Sequence, residues 1–465
     1  MADTETVAAA PWFRVLGLSA AATFVGASSA GIFLWRTFSW PSASSNDAWA
    51  YEAWGQALAR GEQIAFHGAT TPKPLAAVLG AAVAPLPPER GMAIVVALAM
   101  GALAASLFAA AYRERGAAAA AVSVIVFAVT ARIDEVIWFS LIDAVTAALL
   151  VVGLALRGWS RIASFVLAGL LRPEAWLVSF AAGYSEGSGS RRSRLALAVA
   201  AGLAPILLWL VIELFVSGDP LSTYHFTRTA EAEEGGVAGK GLEQAISLFF
   251  RRLRVEGGLV LIILGIVGIV VYTWRRRRQR EFDPMPLAAL TLLSLGLVIE
   301  TVRGFQFNAR YCLPVVAILA LGCGLLVGSV VTACRRAMCM WGAALVAISA
   351  LLLVAVTMDF DRSAEFASRQ NLSLERSVPL IDRALGCGRL GVAGSARATR
   401  VMIERLAAAT RMPFSRFGRI PPDDARSFAT VLSLPDTSRR KPPVKVGVRV
   451  PLGRLIARGH CLSTP

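Results

Sequence analysis

Long apolar segments alternate with short basic or polar segments from residue 15 to residue 358. An α-helix needs about 20 predominantly apolar residues to cross a bilayer, so the pattern predicts about 10–12 transmembrane helices. The predicted spans are 15–35, 91–112, 116–131, 137–156, 195–217, 257–273, 285–302, 311–333 and 341–358. The fold class predicted is a polytopic α-helical membrane domain, residues 1–358, followed by a non-membrane tail, residues 359–465.

The segment 162–184 interrupts this regularity with Arg172-Pro173-Glu174 between two short apolar stretches. Charge and irregular backbone are tolerated at membrane depth only where protein or a water-filled cavity surrounds them. We interpret the segment as a hairpin of two short helices with its apex in or across the membrane. The alternative is one kinked helix with a snorkelling arginine.

Composition supports the membrane assignment. Hydrophobic residues make up 56% of the chain and charged residues 17%, whereas soluble proteins have about 45–50% and about 25%. The sequence contains neither a P-loop nor a dinucleotide-binding fingerprint, and no nucleic-acid partner is expected.

The basic segments predict the orientation, because positively charged loops remain in the cytoplasm. They fall on one face if each span crosses once, and they are 113–116, 157–161, 191–194, 275–280 and Arg335-Arg336. The protein is therefore expected in the cell membrane with a cytoplasmic N-terminus, a first outer loop at 36–90 and an extracytoplasmic C-terminus. The amphipathic stretch 242–254 is expected to lie along the lipid headgroups.

The tail 359–465 contains 19 Lys+Arg against 9 Asp+Glu. Its pattern predicts a small α+β domain, with strands at GRLGVAG, ATVLSL and KVGVRV and a helix at ATRVMIERLAAAT. A basic domain of this kind favours contact with anionic lipid or an acidic polymer. Cys387 and Cys461 are a candidate disulfide if the tail faces an oxidising compartment.

Ionisable residues at the edge of a membrane are costly and are functional candidates by default. On the outer side they fall in four places that are distant in sequence: the first loop with Asp47 and Lys73, Asp143 inside the apolar run that begins at Trp138, the Arg172 apex, and Arg310-Tyr311. We expect all four to line one cavity.

These motifs resemble those of GT-C glycosyltransferases, especially the polyprenyl-phosphate-dependent protein O-mannosyltransferases and lipid A aminoarabinose transferases. The resemblance covers residues 15–335 and is carried by Asp47, Tyr51, Leu58 and Gly61, by Lys73-Pro74, by Asp143 opening an Ala/Leu-rich helix, by 171–176 and 218–221, and by Arg310-Tyr311. Many family members have two acidic residues together in the first loop, whereas Asn46 precedes Asp47 here.

The resemblance implies transfer of a sugar from a polyprenyl-phosphate-linked donor to a lipid, polysaccharide or protein acceptor on the outer face. A carboxylate should take the acceptor proton, and Asp47 is expected to do so, with Asp143 as a second carboxylate. Cations should stabilise the leaving phosphate. Lys73, Arg310 and Arg172 are the candidates, supported by Tyr51, Glu174 and Tyr311. A divalent cation, if one is used, would bind Asp47 and Asp143.

Each assignment has a structural alternative. Asp47 would also suit a helix N-cap, Lys73 a snorkelling position and Arg310 a helix anchor. Asp143 would pair with Arg132, and Arg172 with Glu174. The competing class of protein is a transporter or flippase of a lipid-linked or anionic substrate, which predicts broken helices in inverted repeats.

Overall fold

The computed structural model describes residues 11–39, 46–62, 73–130, 141–225, 241–279, 283–303 and 309–333, together with four short strands in the tail. The helices are α1 (Pro11–Ser39), α2 (Asn46–Ala59), α3 (Pro74–Ala82), α4 (Pro88–Thr130), α5 (Asp143–Ala155), α6 (Trp159–Gly169), α7 (Ala175–Glu186), α8 (Arg191–Ser217), α9 (Leu242–Arg278), α10 (Met285–Val302) and α11 (Leu313–Ala333), and a 3-10 turn spans Ala309–Cys312.

Within these ranges, five helices are long and apolar enough to cross a membrane. They contain Arg90–Val129, Arg191–Ser217, Leu242–Arg278, Met285–Val302 and Arg310–Val331. The polytopic helical fold predicted from the sequence is therefore confirmed. Within the predicted span 137–156, α5 begins at Asp143, and residues 137–140 lie outside the described residues. The predicted span 341–358 lies outside the described residues.

Two of the long helices are interrupted by a glycine with a positive φ. Gly116 (φ 79°) divides α4, and Gly258 (φ 73°) divides α9. L-residues with a Cβ rarely adopt this backbone region, and glycine enters it without steric cost. The break at Gly116 agrees with the two spans predicted on either side of it, and the break at Gly258 separates the amphipathic stretch 242–254 from the apolar part of α9.

Residues 159–186 form two short helices, α6 and α7, joined by a turn at 170–174. The structure thus confirms the predicted hairpin of two short helices and not the alternative of one kinked helix. The indole of Trp176 donates to the carbonyl of Gly169 across the turn at 2.9 Å. A Cβ on Gly169 would lie 2.7 Å from Pro205 of α8, so the apex packs closely on that helix.

Among the five candidate spans, α11 is the most buried, and it packs between α4 and α9. Small residues permit this contact: a Cβ on Gly265 would lie 2.7 Å from the carbonyl oxygen of Leu319, and Gly268 faces Gly322 directly. Close backbone approach through small residues is a general means of helix association in membranes. It fixes the position of the N-terminal end of α11, where Arg310 lies.

The open end of the hairpin is held by a buried ion-pair network. Arg161, which is 2% exposed, contacts Glu186 at 2.7 Å and Asp283 at 3.0 Å. Nearby loops meet at the same end: Arg276 pairs with Glu114, and Arg113 donates to the carbonyl of Ala155 at 2.7 Å. Three of the predicted basic loops therefore share one end of the bundle, opposite the apex of the hairpin.

The tail contains strands β1 (Leu390–Ala393), β2 (Phe417–Ile420), β3 (Thr430–Ser433) and β4 (Ile456–Ala457), in the order β2-β1-β3-β4. Strand β1 is parallel to both neighbours, and β3 pairs with β4 in antiparallel fashion. Two of the predicted strands coincide with β1 and β3. The predicted tail helix, the strand KVGVRV, Cys387 and Cys461 lie outside the described residues.

Candidate functional site

The end of the bundle that contains the hairpin apex collects charged side chains from distant parts of the chain. We call the charged cluster the set of Asp47, Tyr51, Lys73, Asp143, Arg172, Arg310 and Tyr311. Every site residue predicted from the sequence belongs to this set or, in the case of Glu174, adjoins it.

Arg310 joins the first loop to the other end of the sequence. Its Nη2 donates to Oδ2 of Asp47 at 2.5 Å across 263 residues of sequence. Asp47 is the second residue of α2 and lies in its first turn, where the positive end of the helix dipole favours a carboxylate. Asp47 therefore stabilises the start of α2 and also pairs with the guanidinium of Arg310. Its role is not limited to that of a helix cap.

Asp143 opens α5 and is the most deeply buried carboxylate of the cluster. Arg172 donates to its Oδ1 from Nε at 3.0 Å and also from Nη2. Arg310 Nε lies 3.5 Å from Oδ2 of Asp143. The Asp143 side chain is 2% exposed, whereas that of Asp47 is 21% exposed. Both arginines thus converge on Asp143, and Asp47 is the carboxylate that solvent and ligands can reach. The alternative partner of Asp143, Arg132, lies outside the described residues.

Lys73 is buried at the entry to α3 and lies outside the five candidate spans. Its backbone is extended and Pro74 starts the helix, which suits a residue before proline. The ammonium lies 5.7 Å from the ring centroid of Tyr51. Burial, and next the nearby guanidinium of Arg172, lower the pKa of Lys73 to about 8, while Asp143 and Asp47 act in the opposite direction. A buried lysine of this kind does not snorkel.

Tyr311 provides an aromatic face for the two arginines. The Cζ of Arg172 lies 3.7 Å from its ring centroid and that of Arg310 lies 5.5 Å away. Guanidinium groups stack favourably on aromatic rings. Tyr311 therefore fixes the plane of Arg172 and leaves the guanidinium edges for carboxylates or an anionic ligand.

Several buried polar atoms of the cluster lack a hydrogen-bond partner among the described residues. They are the hydroxyl of Tyr51, Oδ2 of Asp143 and Nε of Arg310, of which the last two face each other at 3.5 Å as an ion pair without forming a hydrogen bond. Buried polar groups are nearly always hydrogen-bonded, so each exception needs an explanation. A bound polar ligand would supply the missing partners, and their concentration in one place indicates a binding site.

Glu174 and Glu300 lie at the border of the cluster. Arg172 Nε is 3.9 Å from Oε1 of Glu174, which is longer than its 3.0 Å contact with Asp143. Pairing of Arg172 with Glu174 is thus secondary to pairing with Asp143. Glu300 lies near the end of α10, four residues after Gly296, where an added Cβ would lie 2.6 Å from the Cβ of Glu174. Glu300 was not among the residues predicted from the sequence, although an acidic residue inside the apolar run 285–302 was a signal for it.

The cluster does not fit a divalent cation in this arrangement. Asp47 and Asp143 are each already paired with a guanidinium, and Lys73 adds a third positive group beside them. The described residues contain no group of three His, Cys, Asp or Glu side chains that could hold a metal ion. The positive charge at this site comes from the side chains of the protein.

No protein-family model matches the sequence, and no curated protein sequence matches it. Among solved structures, the chain is similar to ArnT from Cupriavidus metallidurans, a crystal structure bound to undecaprenyl phosphate. The TM-score is 0.54 with 16% sequence identity, and the similarity covers 89% of this chain and 87% of that chain. At this identity the likeness establishes the fold, which is GT-C-like, as the sequence resemblance implied.

Proposed function

We propose that the protein is a membrane glycosyltransferase that moves a sugar from a polyprenyl-phosphate-linked donor to a cell-envelope acceptor on the extracytoplasmic face. The observation that carries the proposal is the charged cluster: three cationic side chains and two carboxylates from four distant segments meet at one end of the bundle. The GT-C-like fold supports it, since the similar structure, ArnT, holds undecaprenyl phosphate.

The cationic side chains suit a leaving phosphate. As the sugar–phosphate bond breaks, negative charge develops on the phosphate oxygens, and preorganised cations in a water-poor site stabilise that charge best. Lys73 supplies a buried point charge. Arg172 and Arg310 present planar guanidiniums that can bind phosphate through two parallel hydrogen bonds. We assign these three residues to the donor phosphate.

Asp47 suits the role of general base because it is the more exposed of the two paired carboxylates. In the structure, Nη2 of Arg310 lies 2.5 Å from Oδ2 of Asp47 and forms an ion pair with it. A donor phosphate that draws Arg310 toward itself would loosen this contact and leave Asp47 able to accept a proton. Donor binding and activation of the base would then be coupled through one arginine.

Asp143 is too buried to meet an acceptor directly. Its two arginine contacts, from Arg172 and Arg310, instead orient the guanidiniums before the phosphate arrives. Preorganised groups avoid a reorganisation cost at the moment of reaction. We therefore assign Asp143 to the catalytic centre as the carboxylate that holds the phosphate-binding arginines in position.

The proposed reaction is a displacement at the anomeric carbon of the donor sugar. The acceptor oxygen forms a bond to the anomeric carbon, and the bond from that carbon to the phosphate oxygen breaks with its electron pair going to the phosphate. The acceptor proton goes to Asp47. The polyprenyl chain would run beside α3, which follows Lys73 directly and exposes Val78.

The experiment that tests the function uses cells from which the protein has been removed. We expect a polyprenyl-phosphate-linked sugar to accumulate, and wild-type protein to restore its consumption. Asp47→Asn should fail to restore it, because general base catalysis contributes about 10²–10⁴-fold. Lys73→Ala should also fail, with weaker donor binding. The matched control is Glu243→Gln, at an exposed carboxylate in the first turn of α9 and outside the motifs that carry the resemblance.

Three results would change the conclusion. If Asp47→Asn and Lys73→Ala both restored consumption fully, the first loop would be structural and the enzyme proposal would fail. If the lipid-linked sugar accumulated only in the inner leaflet, the protein would be a flippase. If Asp47→Asn alone were harmless, the base would be another carboxylate of the cluster.

A further inference from the structure

Glu213 is a buried carboxylate of α8 that the proposed reaction does not use. It lies one turn before the end of this helix. Its exposed fraction is 1%, although only 17% of the apolar stretch of α8 is buried in the bundle. Ionisable residues within membrane-spanning segments are costly and are functional candidates by default. The contacts of Glu213 therefore need an explanation.

Two residues donate hydrogen bonds to the Glu213 carboxylate. The indole Nε1 of Trp209, one turn earlier in α8, donates to Oε1 at 2.7 Å. The backbone N–H of Thr223 donates to Oε2 at 3.3 Å, and the hydroxyl of Thr223 donates to Oε1. Hydrogen bonds to a carboxylate are stronger than those between neutral groups. Glu213 thus fixes the Trp209 ring and also holds the segment 218–225 that follows α8.

Trp209 in turn contacts the hairpin through Trp176. The two ring centroids lie 6.2 Å apart with the planes at 80°, an edge-to-face geometry that aromatic pairs favour. Trp176 donates to the carbonyl of Gly169 across the turn at 170–174. A Cβ on Gly169 would lie 2.7 Å both from Cδ1 of Trp176 and from Pro205 of α8. This packing leaves no free space between the turn and α8.

The turn at 170–174 carries Arg172, which we assign to the donor phosphate. Its Nε lies 3.0 Å from Oδ1 of Asp143, and its Cζ lies 3.7 Å from the ring centroid of Tyr311. A guanidinium recognises phosphate through two parallel hydrogen bonds, so its orientation matters as well as its charge. A displacement of the turn would change that orientation.

We propose that Glu213 is a positioning residue of the sugar-transfer site: it holds Trp209 against Trp176 and thereby fixes the turn that presents Arg172. This inference rests on the proposed function. Glu213 touches no substrate in this scheme and acts through the two tryptophans. The segment 218–225, which begins with the Gly-Asp-Pro-Leu motif, supplies the other hydrogen bonds that keep the carboxylate in place.

The first kinetic test compares Glu213→Ala with Glu213→Gln. Alanine removes the acceptor of the indole, and we expect turnover to fall by up to about 100-fold, the loss that a displacement of about 1 Å can cause. The amide oxygen of glutamine still accepts from Trp209, so Glu213→Gln should recover at least about tenfold of that loss. Glu243→Ala, at an exposed carboxylate of α9, is the matched control.

The second kinetic test repeats Glu213→Ala in an Arg172→Lys background. Lysine keeps the charge but lacks the planar fork of arginine, so the orientation of the turn matters less. Substitutions that act through one another are not additive. We expect Glu213→Ala to lower turnover by less than about threefold in this background. An equal loss in both backgrounds would overturn the proposal, and so would equal activities of Glu213→Ala and Glu213→Gln.

Ultraviolet resonance Raman spectra of the purified protein without donor make a test independent of activity. Subtracting the spectrum of a Trp209→Phe counterpart isolates the Trp209 indole, which should be hydrogen-bonded in the wild type and free in Glu213→Ala. The same subtraction with Trp274→Phe, at a ring that is 52% exposed, should give one signal in both proteins. A free Trp209 indole in the wild type would overturn the proposal.

A variant that leaves Glu213 unchanged covers the case in which Glu213→Ala does not fold. Trp209→Phe removes the indole donor and keeps an aromatic ring beside Trp176. We expect its turnover to fall by about tenfold, and unchanged turnover would overturn the proposal. The same variant decides if Arg172→Lys is too inactive to measure.

The two proposals fail in different ways. If the wild-type protein transferred no sugar, the proposed function would fail and the positioning role with it, while the Raman spectra would still decide whether Glu213 holds Trp209. If the wild type transferred sugar and the losses at Glu213 and Arg172 were additive, only the positioning role would fail.

Discussion

At the scale of single residues, Arg310 links the two carboxylates of the site. It donates to Asp47 and contacts Asp143, so its position depends on both. Removing one partner of a buried charge pair leaves the other charge uncompensated, which costs more than the pair itself contributes. Substitutions at Asp47 and Asp143 should therefore be conservative ones, Asp→Asn, if catalysis is to be separated from folding.

The pKa of Lys73, lowered to about 8 by burial and by Arg172, predicts a pH dependence. Lys73 is charged below about pH 8 and neutral above it in the empty site. Because kcat/KM reports the free enzyme, kcat/KM for the donor should fall by up to about tenfold per pH unit above that value. A bound phosphate stabilises the charged form, so kcat should fall less.

Steady-state kinetics from pH 6 to pH 10 on wild-type and Lys73→Arg protein would check this. Arginine stays charged over that range, so the variant should lose the fall in kcat/KM even if its absolute activity is lower. A fall of equal size in the variant would mean that another group titrates.

The residues of the site were largely predictable because charge is rare in an apolar sequence and therefore conspicuous. Asp47, Lys73, Asp143, Arg172 and Arg310 all follow from that principle. Their pairing did not follow, since Asp47 and Arg310 are 263 residues apart. Sequence spacing carries no information about a contact made only by tertiary packing. Glu300 was missed although its charge inside the apolar run 285–302 made it conspicuous in the same way.

At the scale of elements, the α6–α7 hairpin is fixed at both ends. The apex is held by Asp143 and Tyr311 through Arg172, and the open end by Arg161 with Glu186 and Asp283. A hairpin held in this way presents Arg172 at a defined depth in the bundle.

The anchor at the open end can be tested by substitution of Arg161. Arg161→Ala leaves Glu186 and Asp283 without their guanidinium, and breaking a buried pair costs about 3–5 kcal/mol. We expect a clear decrease in the midpoint of thermal unfolding in detergent. Arg157→Ala, at an exposed arginine two residues before α6, should leave the midpoint close to that of wild type; equal loss in both variants would contradict the anchor.

The contact between α2 and α3 depends on glycine. A Cβ on Gly55 would overlap the backbone of Gly80, and a Cβ on Gly80 would overlap the carbonyl of Tyr51. We predict that Gly55→Ala displaces α3 and with it Lys73, so that the KM for the donor rises, at a stability cost of about 1–3 kcal/mol.

The control for Gly55→Ala is Gly31→Ala in α1, where an added Cβ meets nothing within 4 Å. Donor titrations of both variants would check the prediction. A Gly55→Ala protein with unchanged KM would show that the close approach of α2 and α3 does not position Lys73.

The elements themselves were predictable where apolar length or glycine decided them. The span 285–302 coincides with α10, and Gly116 and Gly258 mark real interruptions. The start of α5 at Asp143 was not predicted, because the apolar run continues through it without a change in composition, while Leu141 and Ile142 are not part of the helix. Hydropathy alone does not locate a helix end inside an apolar segment.

At the scale of the whole molecule, the two ends of the bundle differ in chemistry. At one end, arginines of three basic loops contact Glu114, the carbonyl of Ala155 and Asp283. The charged cluster lies at the other end, where α5 begins and the hairpin turns. The positive-inside rule would place the basic end in the cytoplasm. The cluster would then face outward.

Reporter fusions test this orientation. A reporter after Arg278 should be cytoplasmic, and one after Pro465 should be extracytoplasmic, because the loops around 275–280 are basic and the tail follows a predicted final span. Reporters on the same side would contradict the placement of the cluster on the outer face.

The contact between Asp47 and Arg310 also sets an order of assembly during synthesis. Chains grow at about 5–20 residues per second, so the 263 residues between these partners correspond to an interval of about 13–53 seconds. The Asp143–Arg172 pair, 29 residues apart, is available much earlier. For that interval Asp47 has no Arg310 beside it, and a nascent chain that stops before α11 carries an incomplete site. The candidate site is therefore complete only after the segment that carries Arg310 has been synthesised.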